Sequence, residues 1–162
     1  MPDAKFSVAQ YQRMWEVGVL TNEDKVELLE NFVILKTPEN PPHDGTIDLV
    51  KAALAHLPAG WMLRVQQTVV LTDSQPEPDF SVVRGNPRSF LTRHPTAADV
   101  GLLIEVADSS LLRDQRDKTR IYARGGIAVY WVINLVDRRV EVYAQPSGPT
   151  AVPAYGTFQT FQ

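Results

Sequence analysis

Residues 101–107, GLLIEVA, form a nearly continuous apolar run with one carboxylate, Glu105, inside it. An apolar run without alternation fits a central strand covered on both faces. The stretch that follows is charged: residues 113–124, RDQRDKTRIYAR, read as a helix ended by Gly125-Gly126. Next come IAVYWVINL and RRVEVYAQ, which alternate as a hairpin around Val136-Asp137. Strand, helix and returning strands in that order place helices against a mixed sheet.

The same reading extends outward. Ser7 and Gln10 have capping-box spacing, and Val8, Tyr11, Met14 and Trp15 recur at helical intervals up to Gly18. VELLENFVILK (26–36) reads as two short strands turning at Glu30-Asn31, followed by a polar loop, TPENPPHDG. Residues 46–57 read as a helix with Ile47, Val50, Leu54 and Leu57 on one stripe, stopped by Pro58 and Gly60. WMLRVQQTVVLT (61–72) reads as one long strand, with Gln66 and Gln67 on opposite faces. DFSVV (79–83) is a short strand, residues 84–99 look irregular, and YGTFQTF is a possible last strand. No internal repeat is evident. The expected class is α/β, one mixed β-sheet flanked by helices on both faces. The 162 residues are expected to form a single domain.

Composition narrows the chemistry. The chain is 44% apolar and 22% charged, which fits a globular fold and not disorder. It has no cysteine, which excludes disulfides, thiolate metal sites and cysteine nucleophiles. A three-histidine metal site would have to use His43, His56 and His94 together. Carboxylates are left as the natural ligands, and they suit a hard ion such as Mg²⁺. No run approaches the ~20 apolar residues of a membrane helix, and the N-terminus lacks an export pattern, so a cytoplasmic location is expected. The net charge of -3 does not favour nucleic acid. It is unevenly distributed, however: residues 84–94 and 113–124 carry +3 each, against -9 elsewhere. Those segments are compatible with a phosphate-facing rim, or with solvated surface.

Glu105 is the most informative candidate. A carboxylate among apolar neighbours is costly unless it is paired, binds a metal, or lies at an open strand end. Arg120 and Arg124 are possible partners. Asp79, after Pro78, can be a turn cap. Alternatively, with Glu105 it can hold one divalent ion between neighbouring strands, as phosphodiester cleavage requires. Asp114, Lys118 and Tyr122 share one helix face. Lys118 can pair with Asp114 at the surface, or point its ammonium at a metal centre to orient water or offset phosphate charge. Tyr122 can be core packing. Glu27 reads as a strand carboxylate, and His43 as a loop histidine within reach of a phosphate.

VELLENFVI, PPH, PEPDFSVV and, above all, IEVADSSLLRDQRDKTRIYARGGIAVYWVINLVDRRVEVY resemble the Uma-two family of restriction-endonuclease-type proteins. That family is a branch of the PD-(D/E)XK nuclease superfamily, and the likeness spans about residues 5–145. It implies a restriction-endonuclease-like core. Asp79 resembles the motif aspartate that ligates metal, Glu105 the motif acid of the next core strand, and Glu27 an early glutamate that adds a metal or water ligand. The superfamily lysine would stand at position 107, which here is Ala107, and the family's pattern makes Lys118 its substitute. Asp114, Tyr122 and His43 match family positions around it. Glu30-Asn31 stands where Asp-Gly is usual, and Asp108-Ser109-Ser110 where Ser-Pro-Ser is common. The C-terminal edge looks shortened, with a closing strand or helix reduced.

The resemblance implies Mg²⁺- or Mn²⁺-dependent hydrolysis of DNA, with Asp79, Glu105 and Glu27 on the metal. Lys118, Tyr122 and His43 would assist, and a homodimer would present two symmetric sites. The alternative is an inactive nuclease-fold module that binds nucleic acid or regulates. Ala107 and the net acidity motivate it.

Overall fold

The computed structural model describes residues 3–162. Its centre is β5 (Val100–Ala107), the run singled out above. β5 lies within a six-stranded sheet of order β3-β4-β5-β6-β7-β8. The other strands are β3 (Trp61–Val65), β4 (Phe80–Arg84), β6 (Val129–Asn134), β7 (Arg139–Pro146) and β8 (Tyr155–Phe161). β5 and β6 pair in parallel and every other neighbouring pair is antiparallel, so the sheet is mixed. β8 is therefore a real strand, paired with β7 from Val140↔Phe161 to Pro146↔Tyr155.

Alternation along β5 divides the core. Leu103 and Ala107 face one cluster with Ile121, Tyr122, Tyr130 and Val132. Ile104 and Val106 face the other, with Phe80 and Ile47. Two helices cover these faces. α2 (Pro41–Ala53) lies over Ile104 and Val106. α3 covers the opposite face and runs through Leu111–Arg113, a π-helical turn Asp114–Lys118, and Thr119–Gly125. Gly126 ends α3 in the left-handed conformation, where a side chain would be strained. Burial of both faces explains why β5 shows no alternation in sequence.

A separate hairpin, β1 (Val26–Leu29) and β2 (Phe32–Leu35), turns at Glu30-Asn31, both with positive φ. α1 (Val8–Glu16) carries the Ser7/Gln10 capping box and packs Tyr11 against Val26 and Leu28 of that hairpin.

Three expectations need correction. α2 begins at Pro41, five residues earlier than the apolar stripe implied. Asn40 caps it by accepting from His43 N at 3.1 Å, and two prolines occupy its first turn, where no N–H is needed. His43 therefore sits on a helix and not in a loop. The strand expected over 61–72 stops at Val65, because Gln66 adopts φ +50 and leaves the extended region. Finally, Glu105 pairs with neither Arg120 nor Arg124. Those arginines reach Glu30 and Asp73.

Candidate active site

The register of β4 on β5 pairs Phe80 with Ile104, which sets Asp79 beside Glu105 at the strand ends. The Asp79 backbone N–H points at Glu105 Oε2, 3.4 Å away. Asp79 Oδ2 accepts from the Val106 backbone N–H at 2.8 Å. β5 thus fixes both carboxylates through its own backbone and side chain.

α3 brings its polar face onto the same spot. Lys118 Nζ donates to Glu105 Oε1 at 2.8 Å, and lies 3.4 Å from Glu27 and 4.0 Å from Asp114. Tyr122 OH donates to the same Glu105 oxygen at 2.8 Å. The exposed-pair reading of Asp114 and Lys118 does not hold, because both are buried. Glu27 is also buried, with its second oxygen accepting from the Glu77 backbone N–H. Glu105 Oε1 is committed to two donors, while Oε2 faces Asp79.

Charge balance governs the protonation states. Glu27, Glu105 and Asp114 surround one ammonium, Lys118, and Asp79 adds a fourth carboxylate beside Glu105. Burial works against that ammonium, but Glu105, Glu27 and Asp114 outweigh it and hold Lys118 above the ordinary lysine range. Lys118 is therefore a fixed positive charge and not a proton acceptor. Burial, reinforced by Asp114, Asp79 and Glu27, pushes Glu105 up despite Lys118. Asp114 rises to about 6, again chiefly through burial. The Tyr122 phenol is raised well above its usual value by burial and then Glu105, so it remains a neutral donor.

His43 Nε2 lies 3.2 Å from the Asp79 carboxylate. That hydrogen bond, against the cost of burial, lifts His43 to about 9. Glu39, His43 and Asp79 each place one ligand atom within 4.8 Å of the others. The donor set is oxygen-rich with one imidazole, and carboxylates outnumber cations. Such a set suits a hard divalent ion, which can take the place of the excess protons. The cleft these groups line is narrow, about 60 Å³.

Five of the six expected residues, Glu27, His43, Asp79, Glu105 and Lys118, line this one cleft. Tyr122 stands behind them and reaches it through Glu105. Glu39 went unnoticed, although its place just before the Asn40-Pro41-Pro42 helix start was a usable signal. Of the positive segments, Arg113 and Lys118 line the cleft. Arg120 pairs with Glu30 and Asp117, and Arg93 with Asp99. Arg84 lies over the Trp61 ring. The segment 84–94 contributes no residue to the cleft lining.

A family profile, Uma2, described as "Putative restriction endonuclease", matches residues 8–160. A solved structure described as a "putative nuclease belonging to DUF820" from Anabaena variabilis is similar with a TM-score of 0.67 and 15% identity. The alignment covers 96% of this chain and 84% of that one, and at this identity the likeness is one of fold. A comparison with curated proteins returns no match. Among the described residues no helix is long and apolar enough to cross a membrane.

Proposed function

The chain belongs to the Uma2 family, and from that premise we propose that it is a metal-dependent endonuclease hydrolysing DNA phosphodiester bonds. The observation that carries this reading is the meeting of Asp79, Glu105 and Lys118 in one cleft, with carboxylates in excess of cations. Asp79 and the Oε2 side of Glu105 would hold Mg²⁺ or Mn²⁺, with His43 and Glu39 beside Asp79. When bound, the cation supplies Lewis acidity toward water and phosphoryl oxygen.

The chain's own groups do the rest. Lys118 offers N–H bonds and a fixed positive charge beside the cation site, suited to orienting water or a phosphate oxygen. Tyr122 and Lys118 together clamp Glu105 Oε1, which leaves Oε2 turned toward Asp79. The Val106 N–H and His43 orient Asp79. Glu27, expected as a metal ligand, is committed to Lys118 and the Glu77 N–H, which supports a role in holding the ammonium. Two copies of the chain would suit cleavage of both strands, and analytical ultracentrifugation checks for that homodimer.

The test is cleavage of duplex DNA in Mg²⁺ or Mn²⁺ by the native chain, Asp79→Ala and Lys118→Ala. Metal-dependent cutting by the native chain alone supports the reading. Equal cutting by all three overturns it. DNA binding without cleavage and without metal dependence favours the second reading, a non-cleaving nuclease-fold module. The ion pair that already neutralises Glu105 is the observation on its side.

A further inference from the structure

Glu141 is fully buried, yet it lies outside the cleft. Its carboxylate accepts from Asn134 at 2.9 Å, Arg139 at 2.9 and 3.0 Å, Tyr143 at 3.0 Å, and Gln115 at 2.8 and 3.0 Å. Arg139 balances the charge, and those donors hold the carboxyl below its usual range despite burial. A buried ion pair is weak as a source of stability, because an apolar group of the same shape often does as well. Its value lies in fixing one geometry.

The sheet register shows which geometry is fixed. Glu105 of β5 pairs with Val132 of β6, and Val132 pairs with Glu141 of β7. The two acids thus stand in one cross-strand row on one face, two strand spacings or roughly 10 Å apart. α3 crosses above that row. Its Lys118 seats on Glu105 and its Gln115, one turn earlier, seats on Glu141. Both belong to the π-helical turn Asp114–Lys118. A π turn departs from the α-helical bond pattern and so shifts the direction of the side chains it carries. Tyr130 OH of β6 adds another outside tie by donating to the Asp114 carbonyl at 3.0 Å, and Thr119 Oγ1 bonds the same carbonyl at 2.9 Å from within α3.

We propose that Glu141 is a positioning residue: through Gln115 it fixes the rotation of the π turn and so the aim of Lys118 into the cleft. This rests on the role given to Lys118 above. Gln115→Met cuts only the link to the helix and leaves Glu141 with Arg139, Asn134 and Tyr143.

The test combines Gln115→Met, Lys118→Met and the double variant. It reads calorimetric Mn²⁺ affinity, and kcat and KM for duplex DNA cleavage. Loosening or removing the ammonium frees Glu105, so Mn²⁺ should bind about threefold tighter to Gln115→Met and about tenfold tighter to Lys118→Met. The double variant should match Lys118→Met, since Gln115 acts through Lys118, and kcat for Gln115→Met should fall about tenfold at constant KM. Native Mn²⁺ affinity in Gln115→Met, or additive effects in the double variant, overturns the proposal. The expected Mn²⁺ pattern with no cleavage by the native chain supports the positioning role and refutes the nuclease reading. If Gln115→Met loses cooperative melting, Gln115→Asn, too short to reach Glu141, carries the same test.

Discussion

Replacing Lys118 with methionine keeps an unbranched side chain out to Cε and removes the ammonium. Glu105 then loses a partner at 2.8 Å, Glu27 one at 3.4 Å and Asp114 one at 4.0 Å. Breaking a buried pair from one side costs roughly 3–5 kcal/mol. Two features hold the cost near the lower end. Tyr122 still donates to Glu105 and Ser110 to Asp114. Both carboxyls, already raised, can also take up a proton in place of the lost charge. The expected loss is about 3 kcal/mol at pH 7, or roughly 6–12 °C in Tm for a chain of this size. Mn²⁺ should reverse most of it, because a cation at 100 times its Kd contributes about 2.7 kcal/mol. Urea unfolding with and without Mn²⁺ measures both quantities. A loss below about 1 kcal/mol, or Mn²⁺ stabilising the native chain more than the variant, would refute Lys118 as the internal counter-charge of this cluster.

Gly101 at the start of β5 has no room for a side chain, since a Cβ there would lie 2.7 Å from the Trp61 ring. Gly101→Ala should cost about 1–3 kcal/mol by overpacking, read from the urea midpoint. Glu30, partly exposed, neutralises Arg120 and Arg124. Glu30→Gln should change stability by less than about 1 kcal/mol. It should also tighten duplex DNA binding and steepen its salt dependence, and an unchanged salt slope would show that those arginines do not meet the substrate. Asp99 is held by its hydrogen bonds to Arg93 below its ordinary 3.8, at about 2. A depressed carboxyl stabilises above its unfolded value, so this contribution is present above about pH 4 and is lost as pH falls toward 2. Asp99→Asn should flatten stability over that window, as urea midpoints between pH 5 and pH 2 would show.

The parts of this molecule legible in the sequence are those with one-dimensional signatures. GLLIEVA reveals a strand buried on both faces, and a lone acid within it reveals a buried carboxylate. What that acid touches was not legible. Arginines on the following helix looked like its partners, and Lys118, singled out on its helix face as a group that could face a metal centre, was not read as the residue that pairs with Glu105. The start of α2 was readable in principle, because Asn40 before two prolines is a cap followed by residues that need no N–H. The apolar stripe drew attention away from it. The break after Val65 had no signal, since glutamine rarely adopts positive φ. The π turn had none either, because a 3.6-residue period does not register one wider turn. The burial of Glu141 had no signal in RVEVY, because it comes from α3, which covers the face that Glu141 shares with Glu105.

A crystal structure of the chain soaked with Mn²⁺, read by anomalous scattering, tests the site most directly. The expected result is a peak coordinated by Asp79 and by Glu105 Oε2, with Lys118 still bonded to Glu105 Oε1. A peak that leaves Asp79 without contact, or a cation in the place of the Lys118 ammonium, would contradict it.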